Sequence, residues 1–181
     1  MVRTLILIDC QLGFEDPVWG ARNNSQFEIN AQILLNHWRD VDSPVVHVRH
    51  ASQEAGSPLA QDAPGFAFME WAEPLFGERE VVKNVNSGFI GTELEAMLRA
   101  SGNGDLVLAG LTTNHCVSTT ARMAGNLGFK VDLVGDACAA FDRTGSDGEV
   151  FDAELVHRTA LASLHEEFCT VVTTMDAISQ R

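Results

Sequence analysis

Cys116 is the residue of this chain best placed to do chemistry, because it stands where a predicted strand and turn give way to a predicted helix. Residues 105–124 read DLVLAGLTTNHCVSTTARMA, an apolar run followed by small polar residues and an amphipathic segment. Unpaired backbone N–H groups at a helix start carry partial positive charge, so they lower the pKa of a thiol and can hold an oxyanion. The pattern predicts a nucleophilic cysteine presented by a strand-turn-helix unit.

Two other apolar runs end in charged residues that could serve this thiol. Asp9 follows the run over residues 4–8, and Lys83 closes the run over residues 80–83. A carboxylate can move the thiol proton to a leaving amine, and a fixed cation favours the thiolate. Asp9 could instead cap a turn, and Lys83 could be a surface residue. Ligands bind at the carboxyl ends of parallel strands, so the three side chains are predicted to meet there.

The elements that must position these residues alternate between strand-like and helical patterns. This alternation predicts one α/β domain over residues 1–181, with a parallel sheet covered by helices on both faces. Aromatic-bearing loops over residues 10–24 and 51–77 interrupt the pattern and are expected to carry recognition. The predicted strands cover 4–8, 44–49, 80–83, 106–109, 131–134 and 170–173, and the predicted helices cover 26–39, 92–100, 116–127 and 153–166.

Composition narrows the classes of function. The 181 residues carry a formal net charge of −13 with scattered acids, which disfavours binding to nucleic acid or anionic membranes. No apolar stretch is long enough to span a bilayer, and no leader pattern stands at the amino terminus. Four cysteines without a CxxC pair favour reduced thiols, and we expect a cytoplasmic protein.

Three motifs together carry a resemblance to a known family. They are LIDCQLGF over residues 7–14, KNVNSGFIGT over 83–92 and GLTTNHCV over 110–117. In this order they resemble the isochorismatase-like cysteine hydrolases, which include nicotinamidases, N-carbamoylsarcosine amidohydrolase and biuret hydrolase. The resemblance implies a three-layer, Rossmann-like α/β fold with six parallel strands in the order 3-2-1-4-5-6. It also implies a catalytic triad of Asp9, Lys83 and Cys116.

The resemblance extends to an oxyanion hole. Relatives have a non-prolyl cis peptide before the residue that matches Thr112, and the N–H groups of Thr112 and Cys116 would then hold the oxyanion. Thr112 could also be an ordinary turn residue.

The substrate pocket is predicted from loop residues near the triad. Phe14, Trp19, His50 and Phe89 follow the strands that carry the triad or the neighbouring strand, and they could enclose a small planar group. Each of the four could equally pack in the core.

No metal site is predicted. Nicotinamidase-type relatives carry an Asp-x-His pattern after the second strand, whereas this chain has His47 and His50 and lacks the aspartate. Two histidines at this spacing are weak evidence for zinc. We expect His47 to be a partly buried structural residue and His50 to line the pocket, with no organic cofactor.

The predicted function is hydrolysis of a non-peptide C–N bond in a small amide or ureido compound through a cysteine thioester. Two alternatives stay open: an isochorismate-type vinyl-ether hydrolase, and a non-catalytic binding module on the same fold. The expected partners are a small-molecule substrate and further copies of the chain, as a dimer or tetramer. The substrate itself is not indicated by the sequence.

Overall fold

Six parallel strands form the central sheet of the protein, whose computed structural model describes residues 3–102 and 104–179. The sheet order is β3-β2-β1-β4-β5-β8, which confirms the predicted order 3-2-1-4-5-6. The sixth predicted strand is β8 because a short antiparallel hairpin, β6 and β7, precedes it. The strands are β1 (Thr4–Ile8), β2 (Val45–His50), β3 (Arg79–Lys83), β4 (Asp105–Leu111), β5 (Lys130–Ala139), β6 (Arg143–Thr144), β7 (Val150–Phe151) and β8 (Thr170–Val172).

Helices cover both faces of the sheet, so the layers are α-β-α as predicted. One apolar cluster lies between the sheet and α1 and α5, and a second lies between the sheet and α2, α3 and α4. Burial of these two clusters removes apolar surface from water on both sides of the strands, which is the main stabilising term for the sheet. The helices are α1 (Phe27–Asp40), α2 (Leu94–Ala100), α3 (Ser118–Asn126), α4 (Ala153–Leu164) and α5 (Thr174–Ser179).

Three features of the fold differ from the sequence prediction. Periodicity in α1 puts Ile29 and Ile33 on the buried stripe with Phe27, but they are 52% and 39% exposed. The β6–β7 hairpin and α5 were not predicted, because each is too short for a periodic pattern to emerge.

Among the described residues, no helix combines the length and the hydrophobicity that crossing a membrane requires.

Gly110 lets the ends of β1 and β4 approach each other closely. It has a φ of 130°, and a Cβ atom at this position would overlap the backbone oxygen of Ile8 on the neighbouring strand. The register between β4 and β5 also shifts between Leu108 and Gly110. Only glycine fits this position, and the close approach brings the residues after Ile8 next to those after Leu111.

Candidate active site

The side chains of Asp9, Lys83 and Cys116 meet at the carboxyl ends of β1, β3 and β4. Lys83 Nζ lies 2.7 Å from Asp9 Oδ2 and 3.2 Å from Cys116 Sγ. The three residues are 0%, 1% and 7% exposed, so this is a buried polar cluster and not a surface ion pair. Buried charges persist when they are paired and hydrogen-bonded, and Lys83 meets both conditions.

Lys83 has three acceptors for the three N–H bonds of its ammonium group. The third is His50 Nδ1, at 3.3 Å from Lys83 Nζ. Burial lowers the pKa of His50, and the positive charge of Lys83 lowers it further. A neutral His50 can therefore accept a hydrogen bond from Lys83, which fixes the direction of the ammonium group. His50 lies beside the triad as the sequence predicts, and its contact there is with the lysine.

Asp9 reaches the cluster through an unusual backbone conformation. It follows the last residue of β1 directly and has a φ of 53°, in the left-handed region that few non-glycine residues adopt. Such conformations cost free energy and concentrate at functional sites. Asp9 Oδ1 is buried and has no hydrogen-bond partner among the described residues. One oxygen of this carboxylate is thus held by Lys83, while the other is available to accept a proton.

Cys116 lies in a π-helical turn, Thr113–Val117, that precedes α3. The sequence predicted it at the start of the α-helix itself. The Thr112 carbonyl oxygen accepts hydrogen bonds from the N–H groups of His115 and Val117, on either side of Cys116. π-turns inside helices are rare and are frequent at functional sites.

Two features of the structure oppose the low thiol pKa that the sequence predicts for Cys116. Burial raises its pKa, and the negative charge of Asp9 raises it further, while Lys83 acts in the opposite direction. The thiol also donates a long hydrogen bond to Asn86 Oδ1, with 4.0 Å between sulfur and oxygen. A protonated nucleophile requires a base during attack, and Asp9 is the carboxylate next to it.

The residues proposed for the oxyanion hole lie at the end of β4. The peptide bond between Leu111 and Thr112 is cis. Thr112 is buried, and its hydroxyl oxygen has no hydrogen-bond partner among the described residues.

Gln11 joins the loops that follow β1 and β2, a role that the sequence analysis missed. Its side-chain nitrogen donates to the carbonyl oxygens of His50 and Phe66, each at 3.1 Å, and its oxygen accepts from the His50 N–H at 2.8 Å. Gln11 is fully buried, so these bonds are not in competition with solvent. The clamp holds the His50 backbone and so sets the position of the imidazole that contacts Lys83.

The predicted pocket aromatics divide between the two faces of the sheet. Phe14 and Trp19 form a cluster with Phe141, with ring centroids 5.2 to 6.1 Å apart, and they belong to the apolar layer beneath α1. Phe89 stacks on Phe129 at 5.9 Å in the layer that contains Cys116. The structure thus gives all three predicted aromatics packing partners, and it does not bring them together as one enclosure.

A contact from α4 supports the nucleophile turn and was also missed. His157 Nδ1 lies 2.8 Å from the hydroxyl oxygen of Thr113, the first residue of the π-turn, and both residues are buried. From its place on the last long predicted helix, His157 is interpreted as a solvated or interface position. No signal in the local pattern indicates a partner 44 residues away.

His47 is structural, as expected, but it is fully buried. Its Nε2 lies 2.7 Å from Glu78 Oε2, and Glu78 also binds Arg39. Burial lowers the pKa of His47. Within residues 3–102 and 104–179, no group of three or more His, Cys, Asp or Glu side chains is arranged as a metal site.

Fold and site together define a class: a parallel α/β hydrolase with a cysteine at the end of the fourth strand. Residues 3–176 match the model of the Isochorismatase domain, and the chain belongs to the isochorismatase family of hydrolases. It is similar to the isochorismatase family protein YrdC of Bacillus subtilis, with 42% identity over 98% of this chain and 95% of that protein. A crystal structure of an isochorismatase-family hydrolase from Chromobacterium violaceum superposes with a TM-score of 0.94 at 44% identity, covering 98% of this chain and 92% of that chain.

A relative with a named activity matches a smaller share of its own length. The ureidoacrylate amidohydrolase RutB of Stutzerimonas stutzeri is 32% identical over 74% of this chain and 49% of that protein.

Proposed function

We propose that the protein hydrolyses a non-peptide C–N bond in a small amide or ureido compound through a thioester on Cys116. The observation that carries the proposal is the buried contact of Lys83 Nζ with Asp9 Oδ2 at 2.7 Å and with Cys116 Sγ at 3.2 Å. A nucleophile, a base and a fixed cation within hydrogen-bond reach are the parts that acyl transfer needs.

In the first half-reaction, Asp9 takes the thiol proton as sulfur attacks the substrate carbonyl carbon. The S–C bond forms and the carbonyl oxygen becomes an oxyanion, held by the N–H groups of Thr112 and Cys116. Asp9 then returns the proton to the nitrogen of the leaving amine or ammonia as the C–N bond breaks. The Lys83 ammonium group offsets the negative charge that moves between oxygen and sulfur.

In the second half-reaction, Asp9 removes a proton from water, whose oxygen attacks the thioester carbonyl. The C–S bond breaks, the thiolate leaves beside Lys83, and the proton on Asp9 restores the thiol. The raised pKa of Cys116 suits this cycle, because the thiol takes the proton back once the charge has left the site. No cofactor enters these steps.

Two observations support amide or ureido hydrolysis as the reaction. The thiol is present and partnered, whereas a reaction that uses the carboxylate as its only acid leaves it without a role. The relative named as a ureidoacrylate amidohydrolase acts, by its name, on a ureido compound, and the alignment covers 74% of this chain.

The test is ammonia release from a panel of small amides, ureas, N-carbamoyl compounds and lactams. We expect turnover of at least one member by the wild type and none by Cys116→Ala. The matched control is Cys169→Ala, because Cys169 has the same 7% exposure and lies outside the cluster. Full turnover by Cys116→Ala on the best substrate would refute the covalent mechanism.

A further inference from the structure

A groove with two arginines lies on the outer side of the nucleophile helix. It runs between α3 and α4 beneath the β6–β7 hairpin and encloses a cavity of about 520 Å³. We call it the arginine groove. Its lining is Asn114, Ser118, Arg122, Arg143, Phe151, Leu155, Val156, Thr159, Ala160 and Ser163.

The groove is distinct from the site of Cys116. Asn114, Ser118 and Arg122 are four residues apart, so they share one face of the turn and of α3. Cys116 stands halfway between the first two in sequence and directs its sulfur to Lys83 on the opposite side. The groove and the thiol therefore lie on two faces of one element.

Several arginines of this protein pair with carboxylates, whereas the exposed Arg79 and Arg158 have no carboxylate salt bridge within the described residues. Arg3, Arg22, Arg39, Arg49 and Arg99 each pair with a carboxylate.

By contrast, no carboxylate salt bridge involves Arg122 or Arg143 within the described residues, and no Asp or Glu lines the groove. The chain has a net charge of −13, but this cavity holds two cations and no carboxylate. The electrostatic potential of such a cavity attracts an anion.

Neutral contacts from the chain itself hold both guanidinium groups. Arg122 lies over the Phe168 ring at 4.6 Å and donates from Nε to Ser118 Oγ at 3.3 Å. Arg143 Nη2 lies 3.2 Å from His115 Nδ1. These contacts orient the side chains and leave further N–H bonds of each group for an acceptor, which is the arrangement that binds carboxylates or phosphates through paired hydrogen bonds.

Two polar atoms at the arginine groove are available to a ligand. Arg143 Nε and Asn114 Oδ1 are buried and have no hydrogen-bond partner among the described residues. Phe151, Leu155 and Val156 give the lining an apolar part, while Ser118, Thr159 and Ser163 add hydroxyl groups. This combination suits a ligand that has an apolar body and one or two anionic groups.

We propose that the arginine groove binds a small organic anion, with its carboxylate or phosphate groups at Arg122 and Arg143 and its apolar body against Phe151 and Leu155. A second copy of the chain is the less favoured occupant. A two-fold contact centred on this groove would bring four arginines together with no carboxylate from the lining to offset them. The proposal is independent of the substrate at Cys116.

The test is isothermal titration of isophthalate, an aromatic dicarboxylate, with its dimethyl ester as a neutral probe that keeps the aromatic ring and both carbonyl groups. We expect saturable binding of isophthalate, binding of the ester weaker by at least about tenfold, and a similar loss in Arg143→Gln and Arg122→Gln. Arg143→Lys keeps the positive charge but loses the planar pair of N–H donors of the guanidinium group, so it should retain part of the affinity for isophthalate. Circular dichroism of each variant checks that it is folded.

Two controls place the binding. Arg158→Gln changes an exposed arginine of α4 that does not line the groove, and Cys116→Ala changes the opposite face; both should bind isophthalate as the wild type does. Loss of binding in Cys116→Ala would assign the ligand to the thiol site and overturn the proposal. The proposal would also be overturned if Arg143→Gln and Arg122→Gln both bound isophthalate as the wild type does. The same holds if the wild type showed no saturable binding of isophthalate up to about 10 mM. A sedimentation dimer that Arg143→Gln dissociates would assign the groove to a second copy instead.

Discussion

Replacement of Asp9 by asparagine should make the Cys116 thiol more reactive while it abolishes turnover. Asparagine keeps the shape of the side chain and an oxygen that can accept from Lys83, but it removes the negative charge. That charge is one of the causes that raise the pKa of the thiol, and Lys83 opposes it. Without Asp9, the attraction between Lys83 and a thiolate is no longer offset.

The distance between Lys83 and Cys116 sets the size of the effect. Two opposite unit charges 3.2 Å apart attract by about 5 kcal/mol at an effective dielectric constant near 20. Release of only a quarter of this attraction, about 1.3 kcal/mol, raises the thiolate fraction nearly tenfold. We therefore expect alkylation of Cys116 in Asp9→Asn at pH 7 to be at least about tenfold faster than in the wild type.

The assay is the rate of carbamidomethylation by iodoacetamide at pH 7, followed by intact mass and assigned by peptide mapping. Asp9→Asn should lose about 10²–10⁴-fold in kcat because its proton carrier is gone. In Lys83→Met, Cys116 should be alkylated more slowly than in the wild type. The double variant with both Asp9→Asn and Cys116→Ala should lack the fast-reacting site. If Asp9→Asn alkylates no faster than the wild type, Asp9 does not oppose the thiolate and the reasoning is wrong.

The other predictions concern the lysine, the histidines and the pH dependence of stability. Lys83→Met should lower the free energy of unfolding by about 3–5 kcal/mol, because it leaves the buried Asp9 carboxylate unpaired; a loss below about 1 kcal/mol in urea unfolding would contradict this. His50→Phe should lower kcat about tenfold and move the acid limb of the pH–rate profile to lower pH, because in the wild type a proton on His50 places a second cation against Lys83; a limb at the same pH would exclude His50. Burial lowers the pKa of His47, His50 and His157 below 6.5, so the unfolded chain binds more protons and stability is lost as the pH falls below 6.5. The urea midpoint should therefore be lower at pH 5.5 than at pH 7.5, and a midpoint that does not change would count against this.

Much of the site could be predicted because its residues follow strands. Asp9, Lys83 and Cys116 each come after an apolar run, and in a parallel sheet such positions reach one edge whatever the separation in sequence. The sheet order came from the family resemblance, since periodicity finds strands without fixing which of them are neighbours.

The contacts that support the triad could not be predicted from local pattern. Gln11 binds His50 and Phe66, 39 and 55 residues away, and nothing beside Gln11 in sequence indicates either partner. The direction of the thiol pKa was predicted wrongly for the same reason. The helix start is visible in the sequence, but the burial of Cys116 and the charge of Asp9 next to it depend on tertiary packing.

The central claim is that Cys116 becomes acylated, and a trapped intermediate tests it most directly. The best amide or ureido substrate from the panel is mixed with the enzyme, quenched in acid within the first turnover and analysed by intact mass and peptide mapping. The account predicts an increase equal to the acyl group on Cys116, absent in Cys116→Ala and unchanged in Cys169→Ala. Two results together would contradict it: the wild type turns over without an adduct on Cys116, and Cys116→Ala turns over as well.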